Sequence, residues 1–369
     1  MKRLLCIIGG MNSGGAETFL MKVYRKLDKQ RFQMDFAVAI TEEGIYDKEI
    51  IKLGGKIYKI VPKSESLKQN FMGIKKLVRD NCYNSVLRIS QSSLSALELL
   101  AAKKGGAKIR IFRSSNSNTV TASFSSRIIH KICAYMPKRY ANVKVAPSSE
   151  AARFMFGNKE VEKGNVSILH NGVDLNVFKY DKEGRDDVRK EFNVASDCLL
   201  VGHVGRFMSQ KNHEFLIRVF KKISEYKPNA KLMLVGAGEL EQNIKEQTKS
   251  LEIEDKVIFT GVRSDIPSLL SAMDVFVFPS LYEGMPNTVI EAQATGLPCV
   301  IADTITKEAD ITGLVKYLSL SSSIEEWANV AIDSLSTERK ETKNDFIKNK
   351  YDIESVVKEF TSLVFNEKE

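Results

Sequence analysis

A strand–glycine–helix unit opens the chain, and the same unit restarts in its second half. Leu4-Leu5-Cys6-Ile7-Ile8 is an unbroken apolar run, the mark of a strand covered on both faces of a parallel sheet. Gly9-Gly10-Met11-Asn12-Ser13-Gly14-Gly15 follows, and then Ala16, Phe19, Leu20, Val23 and Leu27 recur at helical spacing. Met34–Ile40, Lys56–Val61, Ser85–Ile89, Lys108–Phe112, Val143–Ala146 and Val166–Leu169 read as further strands, with a helix over Ser93–Lys103. The second series starts at Cys198–Val204, with strands at Lys231–Val235, Val257–Thr260, Val275–Phe278 and Cys299–Ala302 and helices over His213–Tyr226 and Leu240–Leu251. Such alternation specifies an α/β fold with parallel sheets. A chain of 369 residues also exceeds one ordinary core. The expectation is two Rossmann-like parallel-sheet domains facing a central cleft, with the site at the carboxyl ends of the strands. The charged stretch Lys179–Glu191 is the expected linker.

The charge divides along the same line. Residues 1–182 hold 32 Lys+Arg against 15 Asp+Glu, a net +17; residues 183–369 hold 23 against 31, a net −8. A basic half suits nucleic acid, an anionic membrane surface or a phosphorylated substrate. The cations are not interleaved with aromatics, and no zinc-finger or RNA-binding motif occurs, so nucleic acid is not expected. The apolar run at Leu4–Ile8 is short for a secretory leader, and no stretch approaches the ~18–20 apolar residues of a membrane span. Five widely spaced cysteines and four histidines form no C-x-x-C or H-x-x-x-H pattern, so neither a disulfide framework nor a metal site is expected, and a reduced cytoplasm fits.

Five segments carry chemistry. Gly14-Gly15-Ala16-Glu17 lies where the first strand gives way to the first helix, a place that admits a backbone-bound anion or serves as a plain turn. Gly205-Arg206 ends the first strand of the second half, and Lys211 follows; a guanidinium and an ammonium at a strand's carboxyl end can neutralise a diphosphate. Val235-Gly236-Ala237-Gly238 and Thr260-Gly261-Val262-Arg263 repeat the strand–glycine pattern, with Gly236 permitting close approach and the backbone of Val262 or Arg263 able to face a base. The most specific segment is Glu283-Gly284-Met285-Pro286-Asn287-Thr288-Val289-Ile290-Glu291. Pro286 suits a first helical turn, so Glu283 belongs to a loop and Glu291 to a helix, one turn beyond Asn287. A carboxylate in that position can accept both hydroxyls of a ribose.

Together these residues resemble the family-4 retaining glycosyltransferases of GT-B architecture. The resemblance runs over nearly the whole chain, from Gly-Gly-Ala-Glu at 14–17 through His-Asn-Gly-Val-Asp at 170–174 and Val-Gly-Arg with Lys211 to the glutamates at 283 and 291. It implies an N-terminal acceptor domain over residues 1–178, a donor domain over 179–349, and a final segment, 350–369, whose helix crosses back to the first domain. It implies a UDP-sugar as donor substrate, with no permanently bound cofactor and no metal. Arg206 and Lys211 would hold the diphosphate, and Glu291 the ribose. Glu283, with the backbone of Gly284, Met285, Pro286 and Asn287 and with Thr288 beside them, would hold the sugar. Gly14 and Gly15 would close over the phosphate, and Gly205, Gly236, Val262 and Arg263 would complete the donor side. The implied reaction is a retaining hexosyl or N-acetylhexosaminyl transfer to a cell-surface polysaccharide precursor such as a lipid-linked glycan.

Many relatives in that family carry a histidine in the N-terminal domain near the donor sugar. Here the corresponding stretch is Arg113-Ser114-Ser115-Asn116-Ser117-Asn118. Glu17, Arg113, Ser115 and Asn116 are then the candidates for the acceptor side. The absent imidazole keeps open a second reading, a non-catalytic partner subunit. Two basic amphipathic stretches, Leu67–Arg79 and Phe124–Tyr140, are candidates for contact with an anionic membrane, which would set the protein at the inner face of the plasma membrane.

Overall fold

The computed structural model describes residues 1–12, 14–40, 42–115, 124–336 and 339–367. It divides into two compact units, Met1–Gly172 with Lys350–Glu369, and Val173–Asn349.

The first unit is built on seven parallel strands: β1 (Lys2–Ile8), β2 (Phe32–Val38), β3 (Ile57–Lys59), β4 (Ser85–Ser90), β5 (Ile109–Ser114), β6 (Val143–Ala146) and β7 (Ser167–Ile168), in the order β3-β2-β1-β4-β5-β6-β7. β1 shows why an unbroken apolar run is needed. Leu4, Cys6 and Ile8 point into one core and Leu5 and Ile7 into another, because successive side chains leave a strand on opposite faces. The first core is completed by helices Gly15–Lys26 and Ile353–Phe365. Phe19 meets Phe360 edge-on at 6.1 Å, and Phe32 stacks on Phe365 at 4.6 Å. The final helix is therefore part of the first unit's core, not an appendage.

The second unit carries six parallel strands: β8 (Leu200–Val204), β9 (Lys231–Val235), β10 (Val257–Gly261), β11 (Val275–Phe278), β12 (Cys299–Ala302) and β13 (Val315–Leu318), in the order β10-β9-β8-β11-β12-β13. Both sheets have the doubly wound form that the alternating pattern predicts.

The expected linker is a correction. Lys182–Glu191 is a helix of the second unit, capped by the Asp181 side chain on the Glu183 N–H. Arg185 and Arg189, one turn apart, both bind Asp274, at 2.8 and 2.6 Å. Arg189 also donates to the carbonyls of Ala272, Ala195 and Cys198. High charge density predicts solvent, but these guanidiniums cap backbone carbonyls that precede the central strands β8 and β11. The unit boundary falls at Gly172. There His170 stacks on Tyr351 at 3.7 Å, and Gly172 (φ +70°) leaves no room for a Cβ beside Ile353.

The two amphipathic stretches part company. In helix Leu67–Asp80, Ile74 and Val78 are buried in the core. Phe124–Tyr140 divides into helices Phe124–Cys133 and Met136–Tyr140, and Ile128, Ile129, Ile132 and Tyr135 are exposed along it. Among the described residues no helix is long and apolar enough to cross a membrane.

Candidate functional site

The carboxyl ends of β8 and β11 bring two sequence-distant loops together in the second unit. After β8 the chain turns at Gly205 and Arg206, makes a short turn over Ser209–Lys211, and enters helix His213–Tyr226 through Asn212, which is left-handed at φ +54°. After β11 it runs through Pro279–Pro286 into helix Asn287–Ala294. Gln210 Nε2 donates to the Tyr282 carbonyl at 2.9 Å, Leu281 N–H to the Gln210 carbonyl at 2.9 Å, and Asn212 Nδ2 to the Pro279 carbonyl at 3.1 Å.

Lys211 and Glu283 face each other inside this frame. Lys211 Nζ lies 2.7 Å from Glu283 Oε1, with side-chain exposures of 16% and 10%. Ser280 Oγ donates to the same oxygen at 2.6 Å. The ammonium also sits 4.6 Å from the centre of the Phe278 ring, a cation–π contact. Water is largely excluded, so the pair is weakly screened, and Ser280 and Phe278 hold its geometry together with the charge. Arg206 is exposed nearby in sequence and has no ion-pair partner among the described residues. Lys211 is thus a held cation and Arg206 an available one.

The floor of the site is aromatic. His203 stacks on Phe278 at 5.2 Å, His213 on Phe207 at 4.4 Å, and the two imidazoles approach to 4.7 Å. Burial, with Lys211 adding to it, pushes His213 down to about 4; burial first and His213 second hold His203 well below its ordinary value. Both rings are therefore neutral near pH 7, and Lys211 is not opposed by a second charge beneath it.

A third loop closes against the first. Phe207 N–H donates to the Ala237 carbonyl at 3.2 Å and Leu240 N–H to the Phe207 carbonyl at 3.1 Å. Gly236 has φ +139°, and a Cβ there would collide with the Gly205 carbonyl, so only glycine lets these turns meet.

Other predicted residues are more dispersed. Glu291 lies half-buried on helix Asn287–Ala294, one turn beyond Asn287, and Gly284 and Met285 are half-buried on the loop before it. Pro286 is the residue before the helix rather than its first turn. The Thr288 hydroxyl oxygen is buried with no partner among the described residues. Val262 is 81% exposed. The Arg263 side chain is occupied by Asp265 at 2.7 Å and Glu191 at 2.6 Å, which raise its pKa, so only its backbone is available.

In the first unit, Gly14 precedes helix Gly15–Lys26, and a Cβ on it would strike the Glu17 carboxylate folded back over the turn. Burial raises the Glu17 pKa. Gly15 is exposed, with open space around it. Arg113 departs from the expected acceptor surface. It is 2% exposed, donates to the Leu169 carbonyl at 3.1 Å and Asn171 Oδ1 at 2.8 Å, and lies 3.8 Å over the Phe19 ring. Its position at the end of β5 points it inward, where burial lowers its pKa to about 9. Ser115 is exposed, and Asn116 lies outside the described residues. Ser280, Gln210, Asn212 and the two histidines were not foreseen as site residues. Their signal was only their place beside Lys211 and Glu283.

Comparison with known proteins identifies the class. Residues 184–353 match the family described as Glycosyl transferases group 1. The chain is 35% identical over 350 residues to EpsF of Bacillus subtilis (strain 168), named as a glycosyltransferase, covering 94% of this chain and 91% of that one. The chain therefore belongs to the group 1 glycosyltransferases. It is also 36% identical over 146 residues to the Escherichia coli UDP-Gal:alpha-D-GlcNAc-diphosphoundecaprenol alpha-1,3-galactosyltransferase, covering 39% and 38% of the two chains. In fold it resembles Anabaena HepE, solved in complex with UDP-glucose, with a TM-score of 0.76 and 18% identity over the full length of both chains. The fold is of the GT-B type, with two Rossmann-like parallel sheets.

Proposed function

We propose that this chain transfers a hexosyl or N-acetylhexosaminyl group, with retention and without a metal, from a UDP-sugar to a lipid-linked precursor of a cell-surface polysaccharide. The observation that carries the reading is the Lys211–Glu283 pair, 2.7 Å apart at the carboxyl ends of β8 and β11, with Arg206 exposed on the same loop as Lys211. Cations held in a partly dry site stabilise charge that develops on a departing diphosphate. Lys211 and Arg206 bind that group, Glu283 holds Lys211 and the sugar, and Glu291 takes the ribose. The bond from C1 to the diphosphate oxygen breaks as the acceptor oxygen attacks from the same face. The acceptor proton passes to the departing phosphate oxygen, so no protein imidazole is needed as a base. A UDP-glucose complex of the HepE fold relative and the UDP-Gal donor named for the E. coli relative support the choice of nucleotide.

The first unit takes the acceptor. Ile128, Ile129 and Ile132, exposed beside Lys131, Lys138 and Arg139, support contact with an anionic bilayer at the cytoplasmic face. Purified protein with radiolabelled UDP-sugars and lipid extract tests the whole reading. Transfer is expected, with loss in Arg206→Ala and Glu291→Ala. Full activity in both variants, or no transfer and no UDP-sugar hydrolysis by the intact chain with any donor, would overturn it, the latter in favour of a partner-subunit role. Liposome binding that is unchanged between low and high salt would remove the electrostatic part of the membrane contact.

A further inference from the structure

The first unit gathers a second cluster of charge that the donor site does not use. Its strand order reverses direction between β1 and β4. In open parallel sheets the crevice at such a reversal, outside the carboxyl ends of the strands, is where ligands bind. Arg88 on β4 reaches across that point and donates Nη1 to the Ile7 carbonyl of β1 at 2.9 Å. Its Nε lies 2.5 Å from Glu98 Oε2, and Lys63 Nζ lies 3.2 Å from the same carboxylate oxygen. Lys63 also donates to Ser95 Oγ at 2.8 Å, and that hydroxyl lies 2.9 Å from Ser90 Oγ.

The charges do not balance. Two cations share one carboxylate, and among the described residues no second acid lies within ion-pair distance of either. Arg88 and Glu98 are 8% and 3% exposed, while the Lys63 side chain keeps 22% exposure. A surplus positive charge this deep costs free energy unless an anion answers it. The short turn Ser93–Ser95 leads into helix Ala96–Gly105, whose N-terminal dipole adds positive potential at the same edge. Burial, and then Arg88, push the Lys63 ammonium down to about 8, against the opposing pull of Glu98.

We infer that the edge formed by Lys63, Arg88 and Ser95 is an anion subsite of the first unit, and that its ligand is a phosphate ester carried by the acceptor. The phosphate ester belongs either to a polyprenyl diphosphate carrier or to a soluble phosphorylated sugar. That the ligand is an acceptor rests on the proposed transferase reading; the anion site does not. Arg88 is locked by Ile7 and Glu98, so Lys63 makes the contact and Arg88 supplies fixed potential behind it.

Calorimetric titration of the full chain with inorganic pyrophosphate, with UDP saturating, tests the subsite without any sugar transfer. Wild-type protein is expected to bind pyrophosphate with proton uptake near pH 8 and to weaken above it. Lys63→Met is expected to weaken binding at least tenfold, while Lys104→Met, an exposed lysine on the same unit, leaves it unchanged. Lys63→Met keeps Arg88 and Glu98 paired one to one, so it should fold; Lys63→Arg should bind at pH 9 as tightly as at pH 7. Equal affinity in wild type and Lys63→Met, or no saturable binding in wild type, overturns the inference. Transfer assays then separate the sources. A KM rise in Lys63→Met confined to a detergent-solubilised polyprenyl diphosphate sugar assigns the lipid carrier, and one confined to a soluble sugar phosphate assigns the free ligand. A KM unchanged for both overturns the acceptor role. Failure of all transfer with pyrophosphate binding intact would sink the transferase reading and leave the subsite standing.

Discussion

The two units handle positive charge at their strand ends in opposite ways. In the second unit Lys211 is matched by Glu283 alone, steadied by Ser280 and Phe278. In the first, Lys63 and Arg88 share Glu98. The overall charges of the halves, −8 and +17, hide this contrast. A balanced, pinned cation serves geometry, whereas a surplus one serves attraction. The acidic half therefore carries the more ordered cation, which net charge alone does not predict.

The sharpest way to break this contrast is Lys211→Met. It should cost about 10²–10³ in kcat/KM for sugar transfer, the scale of losing one preorganised charge-stabilising group. A loss no greater than that of Lys63→Met would erase the distinction between the two cations. Next in size is Asp274→Asn. It leaves Arg185 and Arg189 without their anion and should destabilise the second unit by about 3 kcal/mol. The chain's single tryptophan, Trp327, is fully buried in that unit, so denaturation followed by its fluorescence reads the second unit alone.

The pH responses should also separate the units. His213, held near 4, binds a proton more readily when unfolded, so the second unit's stability should fall as pH drops from about 6.5 towards 4. His213→Phe should flatten that slope in the Trp327 signal. Lys63, held near 8, loses its proton on folding between about 8 and 10.5, so the first unit should gain stability as pH rises through that window. Lys63→Met should abolish the gain, measured by circular dichroism after the Trp327 transition is accounted for. The smallest expected effect is that of Val262→Ser, within about 0.5 kcal/mol in stability because the side chain is 81% exposed. UDP affinity measured on this variant reports whether that side chain touches the base.

What could be read in advance follows from periodicity. Within β1, Leu4–Ile8 is an unbroken apolar run buried on both faces; β8, Leu-Val-Gly-His-Val, is equally buried but is interrupted by Gly202 and His203. The Glu283–Glu291 segment was legible because glycine, proline and two carboxylates crowd a strand-to-helix turn. β13 carries no such run: it is a four-residue edge strand with Lys316 exposed. The misread linker and the buried Arg113 share one cause. Their guanidiniums cap carbonyls supplied by distant parts of the chain, Ala272 for Arg189 and Leu169 for Arg113, and no local spacing encodes such partners. Ser280 and Gln210 were invisible for the same reason, since their role depends on two loops 70 residues apart meeting.

The placement of the last helix has a consequence for how the protein is made. Phe360, Val364 and Phe365 complete a core that begins at Leu4. On the ribosome the first unit is therefore started first and finished last, while the contiguous second unit emerges whole in between. During that interval the first unit waits with an open apolar face beside Phe19 and Phe32, the period when a nascent chain is most exposed to aggregation or chaperone capture. A stop codon after Asn349 would spare every strand of both sheets, yet leave the first unit permanently in that unfinished state.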